Sequence, residues 1–177
     1  PSLKWTRQRS AYLHYSIPSV FVPANGIVLR QATSAGLTRT PLSLDRLSQQ
    51  SDILPGIESK RAYGTGIDAV LQRWQQQTPP PLQIHDSNGF QRLMTLLIRQ
   101  RVDLVPGSPM EFILARQTLG FGNTLAFRPV AETGAFGISH VACSKTPAGR
   151  HIIERINAVL DRRRADPAYR DIFETWL

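Results

Sequence analysis

The stretch Gly89–Glu111, GFQRLMTLLIRQRVDLVPGSPME, constrains this chain more than any other. Phe90, Leu93, Met94 and Leu97 fall at i, i+3, i+4 and i+7, one face of a 3.6-residue period. Arg92, Thr95 and Arg99 fall on other faces, and Gln100-Arg101 ends the helix. Val102-Asp103-Leu104-Val105 is short and β-branched, so it reads as a buried strand broken by Pro106-Gly107. Ser108 before Pro109 opens a second helix, with the hydroxyl at the N-cap and proline at the first helical position. In open α/β sheets ligands bind beyond the carboxyl ends of strands. Gly107, Ser108 and Pro109 are therefore the first place to look for a site, although capping is what a serine in this position usually does.

The rest of the chain repeats the alternation. Val20–Val22 and Ile27–Arg30 read as two strands, or one interrupted strand, around the favoured turn pair Asn25-Gly26. Residues 31–42 read as a loop. Ser43 caps a short helix with Leu44 and Leu47 inward, and Ile53–Glu58 is a strand interrupted by Pro55-Gly56. Tyr63-Gly64-Thr65-Gly66 then opens a helix whose inward face is Ile67, Val70, Leu71 and Trp74. A small-residue turn before a helix exposes backbone N–H groups at the positive end of the helix dipole. It is an anion site or a plain glycine turn. A proline-rich linker leads to a strand at Leu82–His85, and Asp86-Ser87-Asn88 caps the helix already described.

Beyond Ser108, Phe112, Ile113, Ala115 and Leu119 predict an amphipathic helix. Leu125–Phe127 continuing to Val130-Ala131, and Gly134–Cys143, are extended. Pro147 begins a long helix with Ile152, Ile153, Ile156, Val159 and Leu160 on one face. Arg162-Arg163-Arg164 ends that helix and complements its dipole. Asp166-Pro167 caps a last helix with Tyr169, Ile172, Phe173 and Trp176 inward. This order of strands and helices predicts an α/β fold with a mixed, mostly parallel sheet flanked by helices.

Charge and cysteine content exclude some functions. The 177 residues carry a net charge of +8, and all but Lys4, Lys60 and Lys145 of the basic residues are arginine. The arginines are scattered, without zinc-finger spacing or aromatic ribonucleoprotein motifs, so no nucleic-acid partner is expected. No run is long enough to span a bilayer. The single cysteine, Cys143, lies in an apolar strand and reads as a buried, inert thiol. His14, His85, His140 and His151 lack metal-ligand spacing. No metal, cofactor or catalytic residue is expected.

Four blocks carry a resemblance. They are RSAYLHYSIPSVFVPANGIVLR, then LSLDRLSQQ followed by ESKRAYGTGIDAVLQRW, then LMTLLIRQRVDLVPGSP, and finally GRHIIERINAVLDRRRADPAYRDIFETWL. In order and spacing they resemble the bacterial periplasmic solute-binding proteins of the polar amino-acid class, which serve ABC importers. The resemblance implies the type II periplasmic-binding fold, in which two α/β lobes are joined by two crossing strands. Ligand binds between the lobes, which close by a hinge motion.

On that reading, residues 1–30 are the remnant of lobe 1 and the first crossing strand, Ile27–Arg30. Residues 31–132 are a complete lobe 2. Residues 133–177 are the second crossing strand, Ile138–Cys143, and C-terminal helices returning to lobe 1. The opening part of lobe 1 has no counterpart, so the chain is expected to be a mature, processed or truncated form. Exposed apolar surface and a dimer through the lobe-1 remnant are expected as well. The implied partners are a small-molecule ligand and the membrane permease of an ABC importer, in the periplasm.

Implied site residues follow position by position. Arg9 matches the arginine that grips a ligand carboxylate, a task suited to its planar, permanently charged fork. Tyr63, Gly64 and Thr65 match the turn that offers N–H groups to the same carboxylate. Ser108 stands where the class usually has Asp for the ligand's ammonium. Either Glu111, one turn on, substitutes, or the ligand lacks an amine. The ligand is expected to be small and polar, anionic or amino-acid-like. Two alternatives share the fold: the ligand-sensing domain of a signalling receptor, and a dehydratase-type enzyme, for which Asp86, Asp103 and Glu111 are the nearby carboxylates.

Overall fold

A computed structural model describes residues 2–37, 41–134, 136–164 and 166–167. The strands are β1 (Ser2–Leu3), β2 (Leu13–Tyr15), β3 (Val20–Pro23), β4 (Gly26–Arg30), β5 (Gly56–Glu58), β6 (Leu82–Ile84), β7 (Leu104–Gly107), β8 (Leu125–Pro129) and β9 (Phe136–Ser144). The helices are α1 (Arg7–Ser10), α2 (Gln31–Gly36), α3 (Leu44–Leu47), α4 (Thr65–Trp74), α5 (Gly89–Ile98), α6 (Pro109–Leu119) and α7 (Pro147–Arg164). The expected last helix at Tyr169–Trp176 lies outside the described residues. Two compact units result, Pro1–Val22 with Ile138–Leu177, and Pro23–Gly137. The chain crosses between them at Val22–Pro23 and at Gly137–Ile138. Ile27–Arg30, read from the sequence as the crossing, lies wholly inside the second unit.

In the second unit β4 runs antiparallel to both β7 and β8. Strand β5 is parallel to β6, and a parallel bridge between Pro55 and Leu104 ties it to β7. The sheet order is therefore β6-β5-β7-β4-β8. Four strands point one way and β4, which enters from the other unit, points the other. This is the mixed, mostly parallel α/β sheet that the alternation predicts. Strand β4 is buried from Gly26 to Leu29, as befits the middle of a sheet covered on both faces.

Two apolar layers cover it. On one, Ile67, Val70, Leu71 and Trp74 of α4 pack with Ile27, Leu29, Leu44, Leu47 and Leu104. On the other, Phe90, Leu93, Met94 and Leu97 of α5 pack with Val28, Val102 and Val105. Alternate residues of β4 thus feed opposite layers, as the period of two requires.

Several local readings differ from the structure. Residues 31–36 are helix α2, not loop; no side chain caps its start, so the sequence carries no start signal there. Strand β7 extends through Pro106-Gly107, where a break was expected. Among the described pairings its second edge is bridged at Leu104, so the missing proline N–H forfeits no ladder bond there. Asn25-Gly26 is not a hairpin turn: β3 pairs with β9, while β4 pairs with β7 and β8. Helix α6 buries Ala115 alone, and Met110, Ile113, Leu114 and Leu119 are exposed. The α7 face is likewise open, with Ile153 buried and Ile152 and Val159 exposed.

In the first unit β9 holds β1 and β2 antiparallel on its two sides. Ser16 is buried; its hydroxyl accepts the Val141 N–H and donates to the Ile17 carbonyl. Cys143, expected buried, is only partly so.

Candidate functional site

The four parallel strands of the second unit all end on one edge, and the turns that follow β5 and β7 start helices there. Strand β5 ends at Glu58, and the chain turns through Arg61, Tyr63 and Gly64 into α4. Gly64 has φ 116°, a backbone region that L side chains rarely adopt, so the entry to α4 depends on glycine. Tyr63 is buried, and its hydroxyl accepts the Glu58 N–H at 2.8 Å, closing the turn. Burial pushes the Tyr63 phenol well above its ordinary pKa, while that N–H and the Arg61 charge oppose the shift. Asn25, buried at the start of β4, donates to the Tyr63 carbonyl at 2.6 Å.

The N–H groups of this turn already have a carboxylate. Asp68, in the first turn of α4, reaches back and accepts from Tyr63 N at 2.8 Å and Gly64 N at 3.2 Å. A helix start is a good place for an acid, and here the chain supplies its own. The acidic residue four positions after Gly64 was the signal in the sequence.

At the end of β7, Ser108 begins α6 with a complete capping box. Its hydroxyl accepts the Glu111 N–H at 3.2 Å and donates to Glu111 Oε2 at 2.9 Å. Its own N–H donates to the same oxygen at 3.1 Å. The Ser-x-x-Glu spacing is the sequence signal for such a box. Glu111 is further held by Arg61, whose guanidinium also pairs with Glu58. Burial alone raises the Glu111 pKa, but the Arg61 hydrogen bond and charge, then the Ser108 donors, bring it below the ordinary carboxylate value. Burial disfavours the Arg61 cation; Glu111 and then Glu58 reverse that and hold it more firmly protonated than a free arginine.

Aromatic rings complete this corner. The Arg61 guanidinium carbon lies 5.0 Å from the Tyr63 ring centre and 5.9 Å from that of Phe90. Phe90 takes this place because Gly107 has no side chain: a Cβ there would stand 2.2 Å from the ring. An open recess of about 160 Å³ adjoins the corner, lined by Glu58, Arg61, Tyr63, Asp68, Gln72 and Gln75 among others. Tyr63, Gly64, Thr65, Ser108 and Glu111 thus share one edge. Sequence reading missed Arg61, Glu58 and Asp68, which join them.

Arg9 belongs to the first unit. It sits in α1, where Thr6 accepts its backbone N–H at 3.2 Å. Its guanidinium donates to the Lys4 carbonyl at 3.4 Å, and no carboxylate pairs with it among the described residues. Burial raises the Tyr15 phenol and the nearby Arg9 charge partly offsets this. The Tyr15 hydroxyl is shielded and has no hydrogen-bond partner among the described residues. A guanidinium with no carboxylate partner among the described residues suits an anion.

Among the described residues no three His, Cys, Asp or Glu side chains gather as a metal cradle. No described helix is long and apolar enough to cross a membrane.

No family model matches the chain, and no curated protein matches it in sequence. Solved structures do. An ancestral arginine-binding protein bound to arginine has 17% identity and a TM-score of 0.65, over 99% of this chain and 69% of that one. A histidine kinase sensor domain with similarity to periplasmic binding proteins has 13% identity and a TM-score of 0.66, over 99% and 68%. AbpA, an amino acid ABC transporter substrate-binding protein from Streptococcus pneumoniae bound to L-arginine, has 16% identity and a TM-score of 0.62, over 98% and 64%. At these identities the likeness shows the fold: the chain has the periplasmic-binding-protein architecture and spans about two thirds of these relatives' length.

Proposed function

We propose that this chain captures a small polar solute outside the cytoplasm, as a solute-binding protein of the polar amino-acid class that delivers its ligand to the permease of an ABC importer. One observation carries the reading. Helices α4 and α6 both start at the carboxyl ends of neighbouring parallel strands, in a fold shared with solved amino-acid-binding proteins. The proposed ligand-binding residues are Arg9, Tyr63, Gly64, Thr65, Ser108 and Glu111. Arg9 takes the carboxylate. With Glu111 already paired, the proposed ligand is anionic or lacks an exposed amine.

A sensor domain of a signalling receptor is the second reading, favoured by the equal likeness to the kinase sensor domain. A dehydratase gains no such support. Asp86 is paired with Arg92, Asp103 with Arg30 and Glu111 with Arg61, which leaves none of the three poised as a base.

The test is a thermal-shift and calorimetric screen of amino acids and small organic anions on the full-length protein, repeated with Arg9→Ala. Arg9→Ala is expected to abolish binding while changing the melting temperature by less than about 2 °C, because the half-buried side chain gives up only its hydrogen bond to the Lys4 carbonyl. Unaltered affinity in Arg9→Ala refutes the site, and a protein that binds none of these solutes refutes the solute-binding reading.

A further inference from the structure

The Arg61 corner has the parts of a receptor for an organic cation. Two carboxylates, Glu58 and Glu111, hold the guanidinium, and two ring faces, Tyr63 and Phe90, lie within 6 Å of it. These groups come from separate segments of the chain: the end of β5, the turn before α4, the start of α5 and the start of α6. An ordinary surface ion pair needs one partner and no aromatic walls. Both carboxylates and the guanidinium are largely shielded, with side-chain exposures of 18%, 35% and 22%. The corner stands where open α/β sheets bind ligands, and a solvent-open recess reaches Arg61, Tyr63 and Glu58.

We propose that Arg61 is a built-in guanidinium ligand: the chain's own side chain fills the cation corner of the second unit, bars free organic cations from it, and fixes the captured solute as one without a cationic group at that end. This deepens the solute-binding reading and rests on it for the choice of solute. The physical claim about the corner stands by itself. With Arg61 present the corner is filled and each acid has a partner. Without it, two neighbouring carboxylates face two rings across a space shaped for a planar cation.

The experiment is chemical rescue of the full chain. Arg61→Ala is expected to melt roughly 10 °C lower than the unsubstituted protein, since two shielded acids lose their cation. Methylguanidinium chloride at millimolar concentration is expected to raise the melting temperature of Arg61→Ala by several degrees through mass action. Methylammonium chloride and sodium chloride at equal ionic strength are expected to raise it far less. The unsubstituted protein is expected to show no response specific to methylguanidinium. Arg61→Gln, which keeps much of the stem, is tested alongside. A specific response in the unsubstituted protein equal to that of Arg61→Ala overturns the proposal. So does failure of methylguanidinium to stabilise either variant, whether or not the variant folds unaided. The rescue uses no solute, so a negative solute screen with a positive rescue sinks the solute-binding reading and leaves the filled corner standing.

Discussion

Removing one hydroxyl tests how the carboxyl edge is built. In Ser108→Ala two bonds go: the one from Glu111 N–H to the serine oxygen, and the one from the serine hydroxyl to Glu111 Oε2. The first is an N-cap, worth about 1 kcal/mol. The second is a hydrogen bond to a charged acceptor, about 1.5–3 kcal/mol in full. Here it counts for less, about 0.5–1 kcal/mol, because Glu111 is a third exposed and keeps both Arg61 and the Ser108 N–H. The expected cost is about 1.5–2 kcal/mol at pH 7, or roughly 4–6 °C in melting temperature. Urea unfolding followed by tryptophan fluorescence reads it, since Trp74 is buried in the same unit. Ser108→Thr restores the cap and most of the loss.

The pH dependence has a definite sign. The folded Glu111 pKa lies below its ordinary 4.5, so its contribution is present above the ordinary value and is lost as pH falls through the folded one. The serine hydroxyl is one cause of that depression. The cost of Ser108→Ala is therefore larger at pH 7 than in acid, where Glu111 is protonated in both proteins. A loss under about 0.5 kcal/mol at pH 7 refutes the claim that this hydroxyl holds the start of α6.

Two more substitutions probe the frame around the site. Gly107→Ala forces the Phe90 ring from its place, with an expected loss of about 1–3 kcal/mol in urea unfolding; stability like that of the unsubstituted protein contradicts the close approach. Asp103→Ala removes the partner of Arg30 and the acceptor of the Leu54 N–H at 2.9 Å, with an expected loss of about 2–3 kcal/mol by the same assay; a neutral result shows that this carboxylate does not tie the strand ends together.

The parts of the site differ in how legible they are before folding. The Ser108 N-cap was legible from Ser108 and Pro109 alone, and it is present; that Glu111 closes the box from three residues on is added by the structure. Gly64 was legible as a turn. Its N–H groups read as an anion site or as a plain glycine turn, and Asp68 occupies two of them, on Tyr63 and Gly64. Arg61 passed as one more scattered arginine, because its partner Glu111 lies 50 residues along the chain.

The faces of α4 and α5, the cap of α6 and the alternation of strand and helix were determined by the sequence itself. Each depends on residues within one or two turns, where spacing alone fixes which side chains lie together. Tertiary structure alone decided that β4 runs antiparallel within a parallel sheet, that α6 turns Phe112 and Ala115 to the core but leaves Ile113 and Leu119 exposed, and that Arg61 joins Glu58 to Glu111. Those outcomes depend on which strand ends are neighbours. Neighbours come from closing the sheet over long chain separations, and periodicity along a single element carries no information about its partner.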